Sequence, residues 1–280
     1  MISINNISKY YGKKKVLDNI SCTFDTGINS ILGPNGAGKT TLMNIICNTI
    51  KCQNGEVYYD NTPIIKLEEK YRKDLSVLFQ NNPVYPNYTA KEYLKFVGIL
   101  KGMDKERIET EISRTLDLVN LSDECNKKIK SFSGGMRQRL GIAQALMNTP
   151  KIIIFDEPSV GLDPKEREQF KRIIYKLKMN SIIIISTHIV SDIDKISDTI
   201  TIMNKGKIIV QGNQNDLIKP ISGAVWHIPN DELNSFKDED IYFDDSEARM
   251  ISVKQPSANS IRCQESLNDA YFYYTSNKKV

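Results

Sequence analysis

The chain has 280 residues, 40% of them apolar and 26% charged, which excludes a low-complexity chain and allows one large domain with a small appendage. Its net charge of +4 is far from that of a dedicated nucleic-acid binder. Uninterrupted apolar runs such as residues 152–155 and 182–185 fall well short of the ~20 residues that a spanning helix needs.

Residues 2–8, 16–24 and 28–32 read as strands, and the glycine-rich run over 33–40 opens a helix expected to reach about residue 50. Residues 55–59 and 75–79 are two further strand candidates. Apolar spacing at Tyr93, Phe96, Val97 and Leu100, then at Ile108, Ile112, Leu116 and Val119, predicts two helices between 89 and 120. Another helix follows Gly135. From residue 151 the pattern is strand 151–155, helix 166–179, strand 181–186 and helix 190–196. Continuous aliphatic strands alternating with helices predict a parallel sheet covered on both faces. Strands 199–204 and 207–211 flank a turn at Lys205 and Gly206.

The composition changes at Lys219 and Pro220. Residues 221–280 hold 6 Lys and Arg against 10 Asp and Glu, and residues 1–220 hold 32 against 24. The acidic last part, with the sole tryptophan, Trp226, and an acidic stretch over 237–247, reads as a small α+β unit in which Trp226 is a core anchor. A mildly basic body suits phosphate ligands or an anionic membrane face. The five cysteines are odd in number and form no CxxC pair, so neither a disulfide framework nor a zinc site is expected, and a reducing cytosol is. The first fifteen residues lack the apolar core of a secretory leader.

Residues 33–40, Gly-Pro-Asn-Gly-Ala-Gly-Lys-Thr, fit GxxxxGK[ST] between a strand and a helix. Backbone N–H groups of Asn35, Gly36, Ala37 and Gly38 can turn inward around phosphates, and the positive end of the helix adds attraction. Lys39 is placed to reach the β- and γ-phosphates, and the Thr40 hydroxyl can ligate Mg²⁺. Residues 152–157 form a buried-type strand that ends in two carboxylates. Asp156 can hold Mg²⁺, and Glu157 can polarise a water for in-line attack. His188 follows the next strand, at the carboxyl end where open α/β sheets bind ligands. A second anion site is expected where Ser133, Gly134 and Gly135 begin a helix. Because the first nucleotide already has a loop, this one is expected to close over the nucleotide of a partner chain.

Together these residues resemble the ATP-binding-cassette family, over roughly residues 1–219. The resemblance aligns residues 33–41, Thr41 included, with Walker A, and Gln80 with the glutamine loop, whose side chain meets the metal. Residues 132–136 correspond to the signature, Asp156 and Glu157 to Walker B and the catalytic glutamate, residues 159–163 to the D-loop, and His188 to the switch histidine. Tyr11 matches the adenine-stacking aromatic, with adjacent Tyr10 as the competing choice. Met136 and Phe132 depart from the usual signature Gln and Leu, while the serine and both glycines remain.

The resemblance implies an α/β fold: a P-loop NTPase core with a mixed sheet, an antiparallel β-subdomain and an α-helical subdomain near 81–150. An ATPase domain over 1–219 would carry a small C-terminal α+β extension over 220–280. It further implies ATP and Mg²⁺ as cofactors, a head-to-tail homodimer around two ATP molecules, and a separate membrane permease received near residues 81–88. The location implied is cytoplasmic, at the inner face of the membrane. A weak likeness of Trp226 and residues 265–271 to bacterial exporters of drugs, antibiotics or peptides points to export. The competing readings are a cassette ATPase of nucleic acid or the ribosome and a non-hydrolysing sensor. Relatives of the first kind carry paired cassettes or a long coiled coil, neither visible here, so no nucleic-acid partner is expected. Relatives of the second lose the base that Glu157 and His188 would supply.

Overall fold

The computed structural model describes residues 1–80, 85–237, 240–244 and 247–276. In chain order the first elements are β1 (Ile2–Tyr11), β2 (Lys14–Phe24), β3 (Gly27–Leu32), α1 (Lys39–Ile46), β4 (Asn54–Tyr59), β5 (Thr62–Pro63), α2 (Ile64–Leu67), α3 (Glu69–Asp74) and β6 (Leu75–Leu78). They are followed by α4 (Ala90–Leu100), α5 (Lys105–Leu118), α6 (Gly134–Leu146), β7 (Ile152–Asp156), α7 (Pro164–Leu177), β8 (Ile182–Thr187), β9 (Thr199–Asn204), β10 (Lys207–Gly212) and α8 (Gln214–Ile218). The last part holds β11 (Val225–His227), β12 (Ile241–Asp244), β13 (Glu247–Ile251), β14 (Ile261–Arg262) and α9 (Leu267–Thr275).

A six-stranded sheet in the order β10-β9-β3-β8-β7-β6 forms the centre. Its strands run parallel except β10, which pairs antiparallel with β9, so the sheet is mixed. Alternate residues of its strands enter different cores, which is why both runs read as continuous apolar sequence. Ile153, Phe155, Ile183 and Ile185 pack with the helical layer of α4, α5, α6 and α7. Ile152, Ile154, Ile182 and Ile184 pack on the other face with α1 and the antiparallel sheet β2-β1-β4-β5.

Local chemistry sets the helix starts. Thr89 with Glu92 and Asp163 with Glu166 form reciprocal capping boxes for α4 and α7, and Pro164 stands at the first turn of α7. The Ser133 side chain caps α6 by accepting the Met136 N–H.

The expected helix over 190–196 is a single 3₁₀ turn, Val190–Asp192. The Asp192 carboxylate is engaged by Ser159 and Thr187, and Lys195 takes a left-handed φ of 63°, which ends any helix. The phosphate-loop helix stops at Ile46 rather than near residue 50, with Asn48 at φ 56°. The short helices α2 and α3 were not expected from periodicity.

The last part forms a four-stranded sheet, β12-β13-β11-β14, with α9 beside it. Trp226 anchors a small cluster with Ile228, Ala248 and Met250, and its indole N–H donates to the Ser252 carbonyl at 2.8 Å. Leu217, Ile221, Val225, Leu267 and Ala270 belong to the same apolar cluster as the central helices. The segment after Pro220 therefore shares a core with the body.

Candidate functional site

Three strand ends converge because β3, β8 and β7 are neighbours in parallel register. Leu32 lies opposite Thr187, and Ser186 opposite Asp156. The glycine loop after β3, the acids at the end of β7 and the histidine after β8 thus meet at one edge of the sheet. This is the carboxyl edge where α/β sheets bind ligands.

A cleft of about 580 Å³ opens there, lined by residues 35–41, Gln80, Glu157, residues 14–16, Lys205 and Gly206. The loop cannot carry side chains at its turning points. A Cβ on Gly33 would lie 2.3 Å from the Met203 carbonyl oxygen, and Gly38 takes a φ of 103° as the N-cap of α1. The Gly206 N–H donates to the Ala37 carbonyl at 3.0 Å and ties the β9–β10 turn to the loop. With Lys14, Lys15, Lys39 and Lys205 around it, the cleft is suited to polyanions.

Lys39 is buried. Its ammonium donates to the Gly33 carbonyl at 2.8 Å and the Pro34 carbonyl at 3.3 Å, and lies 3.3 Å from Glu157 Oε1. The other oxygen of Glu157 meets His188 Nδ1 at 2.9 Å. Glu157 is itself buried, with a left-handed φ of 51°. Its N–H donates to both the carbonyl and the hydroxyl of Ser186, at 3.1 and 3.2 Å. The Ser186 hydroxyl in turn donates to Asp156 Oδ1.

Asp156 is 1% exposed, and its Oδ2 has no hydrogen-bond partner. A buried carboxylate oxygen without a partner is costly. Asp156, the Thr40 hydroxyl and the Gln80 amide oxygen are all hard oxygen donors, the set that Mg²⁺ prefers. Burial, with the Asp156 charge adding to it, pushes the nearby Cys47 thiol up to about 12, so Cys47 is inert filling.

Tyr11 lies outside the cleft lining. It ends β1, 53% exposed, with Lys14 as its register partner across the hairpin. Tyr10 is less exposed and pairs with Lys15. Ser133, Gly134 and Gly135 do not line this chain's cleft either; they begin α6, with Ser133 and Gly134 exposed. Phe132 is buried, and Met136 packs on the core, so the two departures from the family signature serve packing.

Tyr85 and Tyr88, exposed residues of the expected permease region, stack with ring centres 5.2 Å apart, and both meet Phe96 of α4 edge-on. Residues 81–84 of that region, Pro83 included, lie outside the described residues, as do 238, 239, 245 and 246 of the acidic stretch.

Sequence reasoning missed Ser186 and Asp192. Ser186 reads in the sequence only as the last residue of the strand over 181–186. Asp192 falls inside the expected helix over 190–196, and no local pattern marks it.

The family model described as ABC transporter matches residues 17–160. The linearmycin resistance ATP-binding protein LnrL of Bacillus subtilis (strain 168) is 32% identical over 225 residues, covering 80% of this chain and 72% of its own. The lantibiotic transport ATP-binding protein SrtF of Streptococcus pyogenes is 35% identical over 216 residues, covering 75% and 90%. Among solved structures, the dimeric structure of MJ0796, a bacterial ABC transporter cassette, matches with a TM-score of 0.70 at 30% identity, covering 76% of this chain and 98% of that one. The chain belongs to the ABC transporter family. Within it the chain is an ATP-binding subunit, an ATPase; among the described residues no helix is long and apolar enough to cross a membrane.

Proposed function

We propose that this chain powers a separate membrane permease, at the inner face of the membrane, that exports a drug, antibiotic or peptide. The names of the linearmycin and lantibiotic relatives support the cargo class. The observation that carries the chemistry is the division of the Glu157 carboxylate between Lys39 and His188 on the rim of the phosphate loop.

In this reading the amides of residues 35–41 and Lys39 hold the phosphates of ATP, and Tyr11 stacks on the adenine. Thr40, Gln80 and Asp156 would hold Mg²⁺. Bound there, the ion neutralises phosphate charge. Glu157 accepts the proton of a water that attacks the γ-phosphorus. The bond to the bridging oxygen breaks, leaving ADP and phosphate. His188, held on the same carboxylate, orients it and reaches the γ-phosphate. Ser133, Gly134 and Gly135 contact the nucleotide of a second copy, so the working unit is a head-to-tail homodimer with two composite sites. Their absence from the lining of their own chain's cleft supports that geometry. The nucleotide machinery lies within residues 1–219, and the aromatic surface of Tyr85, Tyr88 and Phe96 receives the permease.

Glu157→Gln tests this reading. Loss of a positioned general base should lower turnover ~10²–10⁴-fold, while ATP binding persists and an ATP-bound dimer accumulates. Wild-type turnover in this variant would remove Glu157 from the mechanism.

A further inference from the structure

We propose that Asp192 is a positioning residue for hydrolysis, holding both flanks of the Glu157–His188 pair with one carboxylate; this rests on the reading of Glu157 given above. Asp192 is buried and lies four residues beyond His188, on the 3₁₀ turn Val190–Asp192. Its Oδ2 accepts from the Ser159 hydroxyl and, at 3.3 Å, from the Thr187 hydroxyl. Ser159 stands two residues after Glu157, and Thr187 immediately before His188. The Thr187 oxygen also accepts the N–H of Ile189 at 3.0 Å, so the backbone on both sides of His188 is tied to the same group.

The arrangement is paired and enclosed. Ser159 and Thr187 are 2% and 0% exposed, and Arg167 sets its guanidinium 3.4 Å from Asp192 Oδ1. Arg167 also donates to the Leu162 carbonyl at 3.3 Å and so grips the loop that Ser159 begins. From its other side, Gln138 of α6 donates to the Pro158 carbonyl at 2.8 Å. A buried carboxylate with two hydroxyl donors and one guanidinium is strongly held. Its loss would free Ser159 and Thr187 together, and with them the spacing of Glu157 from His188. Asp192 touches neither reacting atoms nor phosphate-binding groups. It acts on geometry, where a displacement of about 1 Å costs on the order of 10²-fold in rate.

The test compares Asp192→Asn in the wild-type and Glu157→Gln backgrounds, reading kcat, ATP dissociation constant and thermal unfolding in the full chain. The expected result is a kcat lower by about 10- to 100-fold, an ATP dissociation constant within about two-fold, and no further loss in the Glu157→Gln background. A merely structural role would lower the rate by the same factor in both backgrounds. That outcome, or wild-type kcat in folded Asp192→Asn, overturns the proposal. So does a loss of ATP affinity equal to the loss of rate. If Asp192→Asn fails to fold, Ser159→Ala, which leaves the Arg167–Asp192 pair intact, is read by the same outcomes. Undiminished turnover in Glu157→Gln alone would overturn the reading of Glu157 and this inference with it. Wild-type kcat in Asp192→Asn beside an inactive Glu157→Gln overturns only the inference.

Discussion

Glu157 occupies a backbone region that non-glycine residues visit rarely, yet both lone-pair sets of its carboxylate are engaged. The left-handed turn is what lets a residue directly after a buried strand leave the sheet and face the phosphate loop. Two bonds from its N–H to Ser186 hold that turn, and Ser186 also holds Asp156. Strain sustained by surrounding bonds is characteristic of functional positions. At the rim, Tyr11 is the exposed one of the two adjacent tyrosines. Aromatic stacking on a base contributes about 1–3 kcal/mol. Tyr11→Ala is therefore expected to raise the KM for ATP by about 5- to 150-fold while lowering kcat less. An effect seen only in Tyr10→Ala would assign the adenine to the other tyrosine.

Elements meet through single side chains as well as through cores. Lys101, just past α4, donates to the Ser76 hydroxyl of β6 at 3.0 Å and to the Met147 carbonyl beyond α6 at 2.8 Å. It thereby pins the helical layer to the central sheet. Burial, opposed by the Glu111 charge, drops its ammonium to about 8 from 10.5. In that window the unfolded chain binds more protons than the folded one, so this group makes stability rise with pH from about 8 to 10.5. Below pH 8 the cost of burying the charge is present in full. Lys101→Met removes this dependence. The stability of the native chain minus that of the variant should grow across the window, by at most about 3 kcal/mol. Paired unfolding curves at several pH values measure it, and a flat difference would mean that Lys101 stays charged at no cost.

The same scale shows what was legible in the sequence. Strands β7 and β8 were, because burial on both faces demands continuous apolar residues, and β3 was, from Ile28, Ile31 and Leu32 just before the glycine-rich loop. The phosphate loop, the acid pair and His188 were, because their residue types are fixed by chemistry and their strands by pattern. The turn after His188 was not. Residues 190–196 carry helical spacing, but bonds from Asp192 to residues far along the chain override it. Nor was the union of cores, since Val225, Leu267 and Ala270 say nothing locally about what they pack against.

At the scale of the whole molecule, the acidic last segment is held to the basic body by apolar packing. Leu267 and Ala270 of α9 sit in the cluster of the central helices, as does Ile193, and Val190, two residues after His188, packs against it. Truncation after Lys219 would uncover part of that surface. It should lower the unfolding temperature by several degrees and leave ATP affinity in the folded fraction within a few-fold, since no cleft residue lies beyond Gly206. Loss of nucleotide binding in a truncated chain shown to be folded would assign the segment to the ATP site. The central claim, a composite site shared by two copies, has the most direct test in mixed dimers. Lys39→Ala and Ser133→Arg should each be inactive as homodimers, the first through its own cleft and the second through its partner's. A mixed dimer collects both lesions at one site and leaves the other intact. Measured ATP turnover of the purified mixed dimer should therefore return well above that of either parent. Turnover no higher than the parents', with the mixed dimer demonstrably formed, would contradict the account.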